Sequence, residues 1–210
     1  PCVIKEKNVE HLIYRAVAKN WVSSLGYASI INNKITRESE PLISPTEEYE
    51  TKGIEDPRLT KIDDTYYLLY TAFDGKDAQI AYAVSKDLRN WKKKGIISPK
   101  LSVTKARELV KIKKYRDKWG HQEIYGSETC LWDKDAILFP EKINGNFIML
   151  HRFLPDIQIV KFKDFSELKS TSFWEDYIKN LSEAEDKVSL YRRYDWEAEH
   201  IGPGAFPIKT

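Results

Sequence analysis

Short apolar runs broken by polar turns dominate the chain, and three of them share one pattern. They are His11-Leu12-Ile13-Tyr14-Arg15, Tyr67-Leu68-Leu69-Tyr70-Thr71 and Ile148-Met149-Leu150-His151-Arg152. A polar turn precedes each: Asn8-Val9-Glu10, Asp63-Asp64-Thr65 and Asn144-Gly145-Asn146. Asn-Gly and Asp-rich turns flanked by such runs are hairpin signals. Tyr14, Tyr70 and His151 share a register, and Arg15, Thr71 and Arg152 follow them. The pattern continues downstream. Ala81 to Leu88 matches Ile159 to Phe165, with Lys86-Asp87 falling on Lys163-Asp164. Trp91 and Leu168 then close each unit. A unit therefore offers about four short antiparallel strands, the content of one propeller blade.

A proline recurs before these strand pairs, in Asp56-Pro57-Arg58, Phe139-Pro140-Glu141-Lys142 and Phe206-Pro207-Ile208-Lys209. Proline lacks a backbone donor, so Pro57 is expected to open a strand rather than lie inside one. The third copy falls at the end of the sequence. The chain thus reads as all-β, about three blades plus the start of a fourth, with residues 1–210 one partial propeller domain. Three blades and a fragment would leave open sheet edges, so a piece of a longer protein is expected. Two segments break the pattern as helical insertions. Residues 102–119 read as a basic helix with Val103, Ala106, Leu109 and Val110 on one face. Residues 174–187 read as an amphipathic helix with Trp174, Tyr177, Ile178 and Leu181 inward.

Composition narrows the classes. The 34 basic and 32 acidic residues leave a net charge of +2, which gives no reason to expect a nucleic-acid partner. No run of about 18 apolar residues is present, so no membrane span is expected. No signal-peptide pattern stands at the start. Two cysteines, Cys2 and Cys130, are too few for a disulfide scaffold and fit free thiols in a reducing, cytoplasmic setting. His11, His121 and His200 have no metal-ligand spacing, so no metal is expected.

The densest chemistry lies in Gly53-Ile54-Glu55-Asp56-Pro57-Arg58. A carboxylate pair stands beside a permanent positive charge at the mouth of a sheet, a setting that suits the acid of a sugar-cleaving enzyme. The plain alternative is an acidic turn before a strand.

Several ordered motifs carry a family resemblance. They are Gly53 to Arg58, then Tyr66 to Gly75, then Lys134-Asp135-Ala136 with Phe139 to Ile143. Met149-Leu150-His151-Arg152 follows, and then Ile201-Gly202-Pro203-Gly204 with Pro207 to Thr210. Together they resemble glycoside hydrolase family 130, the β-mannoside phosphorylases and related mannosidases. The resemblance implies a five-bladed β-propeller with its site at the central axis. It implies inverting phosphorolysis of a β-mannoside in a mannose-containing oligosaccharide, giving α-mannose 1-phosphate. Asp56 inherits the role of general acid, acting through a sugar hydroxyl. Inorganic phosphate is the co-substrate and no other cofactor is implied.

Phosphate needs fixed positive charge, and the planar fork of arginine suits its oxygens. Arg15, Arg58 and Arg152, with Lys142 and His151, are expected to surround phosphate and the transferred sugar. Glu55, Asp74, Asp135, Glu141 and Asp156 are further candidates for sugar hydroxyls. The sequence departs from the family at Ala205-Phe206, and the family's later histidine and aspartate are absent from it. Two alternatives stay open: a β-mannoside hydrolase on the same fold, and an inactive sugar-binding fragment. The 102–119 insertion is expected to shape acceptor choice or an oligomer contact.

Overall fold

The computed structural model describes residues 1–181 and 188–208. It is mostly β and builds three antiparallel meanders in chain order. The first holds β1 (Cys2–Glu6), β2 (Val9–Val17), β3 (Ser23–Ile31) and β4 (Lys34–Arg37). The second holds β5 (Gly53–Ile62), β6 (Thr65–Phe73), β7 (Ala78–Ser85) and β8 (Lys92–Ile96). The third holds β9 (Lys134–Leu138), β10 (Phe147–Arg152), β11 (Ile157–Phe162) and β12 (Val188–Leu190). Each strand pairs with the next in its meander. The register puts Tyr14, Tyr70 and His151 on the second strand of their units, as the repeat predicts.

The first two meanders fuse through one parallel bridge, Ser23 to Gly53. Only glycine fits there. Gly53 has φ +136°, and a Cβ on it would stand 2.4 Å from Ser23 Oγ and 2.7 Å from Ser23 N. Apolar faces then pack unit against unit. One cluster, with Ile13, Leu25, Ile54, Leu68 and Tyr70, lies between the first two meanders. A larger one, with Leu69, Met149, Phe153, Leu168, Trp119 and Trp174, joins the second and third meanders to the helices.

Pro57 lies inside β5, not at its start. The ladder pairs Glu55 with Thr71 and Arg58 with Leu69, so Asp56 and Pro57 together oppose Tyr70. This is a β-bulge, where the missing proline N–H costs no ladder bond. The same device recurs in β9. There Lys134 pairs with Arg152 and Ile137 with Leu150, so Asp135 and Ala136 together oppose His151. The counterpart of Asp56-Pro57 is therefore Asp135-Ala136. Phe139-Pro140 instead lies past the end of β9, in the turn towards β10. Residues 201–208 form no strand, and Lys209 and Thr210 lie outside the described residues.

The expected single helix over 102–119 is two: α1 (Val103–Leu109) and α2 (Lys113–Gly120). Val110 turns extended between them and buries its side chain. The break is stabilised by hydrogen bonds from Arg116 Nη2 to the Val110 carbonyl and from Arg107 Nε to the Arg116 carbonyl. Val103 and Ala106 are buried as their spacing predicts. The second insertion is α3 (Thr171–Lys179), capped by Ser170, with Trp174, Tyr177, Ile178 and the following Leu181 inward. The rest of the expected helix, 182–187, lies outside the described residues. Among the described residues no helix is long and apolar enough to cross a membrane.

Candidate active site

The C-terminal ends of β2, β6 and β10 and the N-terminal ends of β5 and β9 meet at one edge of the molecule. A bulge turns side chains at that edge because its extra residue leaves the pleat. Asp56 has φ +47° and Asp135 has φ +58°, both in the left-handed region that costs an L-residue roughly 1–2 kcal/mol. Aspartate tolerates it better than most residues.

These bulges bring alternating charges together. Arg15 Nη2 donates to Glu55 Oε1 at 2.7 Å. Lys134 Nζ stands 3.9 Å from the other oxygen of Glu55. Asp135 lies between two arginines, with Arg152 Nη2 at 3.1 Å and Arg58 Nη2 at 3.8 Å. Arg58 also donates to the Pro203 carbonyl at 3.2 Å. Gly202 packs on the pair closely enough that a Cβ there would stand 3.1 Å from Arg152 Nη1 and 3.2 Å from Asp135 Oδ2. The segment 202–203 thus roofs the cluster. The Nε atoms of Arg58 and Arg152 are buried with no hydrogen-bond partner. Such donors are costly to leave unmet. Asp56 is half-buried, and among the described residues its carboxylate has no ion pair or hydrogen bond.

Of the sequence candidates, Arg15, Glu55, Asp56, Arg58, Asp135 and Arg152 fall at this edge. The others do not. His151 is fully buried, with Nδ1 2.9 Å from Asp133 Oδ1 and Nε2 3.2 Å from the Tyr177 hydroxyl, among Phe153 and Trp174. The bulge sends Arg152 to the edge and its neighbour inward. Lys142 and Glu141 occupy the turn before β10, at its opposite end, where the Lys142 ammonium lies 4.2 Å from the centre of the Phe147 ring. Asp74 accepts from the Lys76 and Asp77 amides and shapes the β6–β7 turn. Asp156 is buried, accepting from the Tyr115 hydroxyl at 2.8 Å and the Arg192 amide at 3.1 Å, with Lys114 Nζ at 2.9 Å.

Two residues at the site escape a reading for isolated charges. Lys134 holds the place in β9 that Glu55 holds in β5, so the pair Lys134-Asp135 repeats Glu55-Asp56. Asp133 supports the second bulge from beneath, accepting from Ser98 Oγ at 3.1 Å while facing His151. Among the described residues no group of three or more His, Cys, Asp or Glu could hold a metal ion.

The family model for glycoside hydrolase family 130, described as β-1,4-mannooligosaccharide phosphorylase, matches residues 1–210. A 1,2-β-oligomannan phosphorylase of Thermoanaerobacter sp. (strain X514) is 35% identical, over 99% of this chain and 58% of that protein. The β-1,2-mannobiose phosphorylase of Listeria innocua, solved with β-1,2-mannobiose, superposes with TM-score 0.65 at 19% identity, over 100% of this chain and 64% of that one. A structure described as a family-130 study of hydrolases targeting β-1,2-mannosidic linkages superposes with TM-score 0.59 at 21% identity, over 79% and 46%. The chain spans about half the length of the curated relatives it matches.

Proposed function

From the premise that this chain belongs to glycoside hydrolase family 130, we propose that it is the phosphate-binding and acid-bearing part of an inverting β-mannoside phosphorylase. The whole protein, in this reading, is a five-bladed propeller of which residues 1–210 supply three blades. The observation that carries it is the unequal use of two like bulges. Asp135 is tied to Arg58 and Arg152, while Asp56 remains uncommitted beside them.

A phosphorolysis needs an anion held at the sugar's anomeric carbon and a proton delivered to the departing oxygen. Arg15, Arg58, Lys134 and Arg152 supply fixed positive charge against the carboxylates of Glu55 and Asp135. Phosphate oxygens would pair with the guanidinium groups, where charge-assisted bonds are roughly twice as strong as neutral ones. Asp56 would deliver the proton, relayed by a sugar hydroxyl. With phosphate as nucleophile, no second carboxylate need activate water. The excess of cations favours this over a hydrolase on the same fold. Free Cys2 and Cys130 support a cytoplasmic location. The test is product formation from β-1,2- and β-1,4-mannobiose with and without inorganic phosphate. Phosphate-dependent mannose 1-phosphate is expected. Phosphate-independent release of mannose would overturn the proposal in favour of a hydrolase.

A further inference from the structure

Beside the charged cluster stands an aromatic ledge that none of the catalytic roles uses. Trp132, two residues before the start of β9, is fixed by two hydrogen bonds. Its indole Nε1 donates to the Lys76 carbonyl at 2.9 Å, and its amide donates to Gln122 Oε1 at 2.9 Å. Phe73, at the end of β6, meets it edge-on at 6.3 Å. Tyr125 lies against it at 4.9 Å between ring centres. The Lys134 ammonium is 5.4 Å from the indole centre, so the ledge adjoins the cluster directly.

Exposure rises along this path. The Asp135 side chain is 11% exposed and that of Lys134 is 24%, while Tyr125 is 43% and Ile124 81% exposed. Tyr125 and Ile124 lie just past the 102–119 insertion, on the 3₁₀ turn His121–Tyr125 that follows α2. That turn is anchored twice, through Gln122 to Trp132 and through the Glu123–Arg107 ion pair. Gly126, at φ +113°, then turns the chain back. Two large apolar side chains are thus held outward by a braced turn at the open end of the site.

We propose that this ledge is the binding wall for the leaving-group sugar, with Tyr125 as its specificity-determining residue and Trp132 as its backing. The inference rests on the phosphorylase reading above. Phosphate and the transferred mannose must sit over the arginines, in the least exposed part. The leaving sugar then extends outward past Lys134 to Tyr125. The C–H face of a pyranose is apolar, and a rigid aromatic ring with a polar tip suits it at low entropic cost. Acceptor choice would then lie with the 3₁₀ turn that follows the 102–119 insertion, not with the basic helices of the insertion itself.

The test runs the reaction in the synthetic direction, from α-mannose 1-phosphate and a mannose or mannobiose acceptor. Tyr125→Ala is expected to raise the acceptor KM by roughly five- to tenfold, the effect of one aromatic contact, with the KM for α-mannose 1-phosphate unchanged. Tyr125→Phe should restore most of the loss, and Trp132→Phe should give a smaller rise than Tyr125→Ala. Equal acceptor KM values in wild type and Tyr125→Ala would overturn the inference. So would a shift in oligomeric state by size exclusion in place of a KM change, which would make the ledge a contact between copies. Tryptophan fluorescence titrated with mannobiose separates this from failure of the phosphorylase reading. Without turnover, quenching in wild type that is lost in Tyr125→Ala still supports the ledge. No quenching and no turnover would overturn both.

Discussion

The bulge in β5 and the bulge in β9 are built alike and end differently. Each places an aspartate at positive φ, Asp56 at +47° and Asp135 at +58°. Each sets two residues against one, opposite Tyr70 and His151 respectively. Each opposing side chain is buried and bonded to a buried carboxylate: Tyr70 to Glu50 at 2.8 Å, His151 to Asp133 at 2.9 Å. Yet Asp135 is enclosed by Arg58 and Arg152, whereas Asp56 has no such partner among the described residues. The difference lies outside the bulges. Arg152 occupies a place held by Thr71 in the second unit, and an arginine one unit away, Arg58, reaches across. One backbone device thus yields an ion-paired carboxylate in one unit and a carboxylate without an ion pair among the described residues in the other.

The largest expected effect breaks the β5 bulge chemically without changing its shape. Asp56→Asn should lower kcat for mannobiose phosphorolysis by roughly 10²–10⁴-fold, the usual worth of a positioned acid, while the circular dichroism spectrum and melting temperature stay unchanged. Next comes the β9 bulge. Asp135→Ala leaves two arginines facing each other in a poorly solvated site and should cost about 2–3 kcal/mol of stability, read as a lower denaturation midpoint in urea. An unchanged midpoint would show that Asp135 is no anchor. A smaller effect sharpens the backbone side of the comparison. Asp56→Gly should be more stable than Asp56→Ala by about 1 kcal/mol, because only glycine is at ease at that φ.

The smallest effect concerns pH and serves as a control away from both bulges. Burial, with the Asp77 carboxylate beside it, pushes the Cys130 thiol up to about 12. The unfolded thiol ionises near its ordinary value of 9.0, so this group's contribution is fully present below that pH. It is lost as pH rises from about 9 towards 12. Alkylation of Cys130 should accordingly stay slow below pH 9 in the folded protein and become fast in urea. Equal rates folded and unfolded would contradict the burial.

Much of this architecture was legible in the sequence because alternation and turn chemistry act locally. The register of Tyr14, Tyr70 and His151, and the inward face of α3, follow from spacing alone. The bulges were not legible, because two residues opposing one is a property of the partner strand. Pro57 therefore read as a strand opener, and Pro140 read as its counterpart in place of Asp135-Ala136. Lys142 and Glu141 follow Pro140 and therefore lie at the other end of β10 from the bulge. His151 read as a ligand because its burial depends on Trp174 and Tyr177, residues from a distant insertion. Lys134 could have been found by laying Lys134-Asp135 on Glu55-Asp56. The break at Val110 depends on Arg116 reaching back to its carbonyl, which no helical periodicity encodes.

The central claim is that Asp56 delivers a proton and Asp135 does not. It is tested most directly by comparing substrates whose leaving groups differ in their need for that proton. In phosphate buffer, rates for mannobiose and for a dinitrophenyl β-mannoside would be measured with wild type and Asp56→Asn. A dinitrophenolate departs without protonation, so the account predicts a large loss on mannobiose and little loss on the aryl mannoside. Equal losses on both substrates would contradict it and make Asp56 a binding residue.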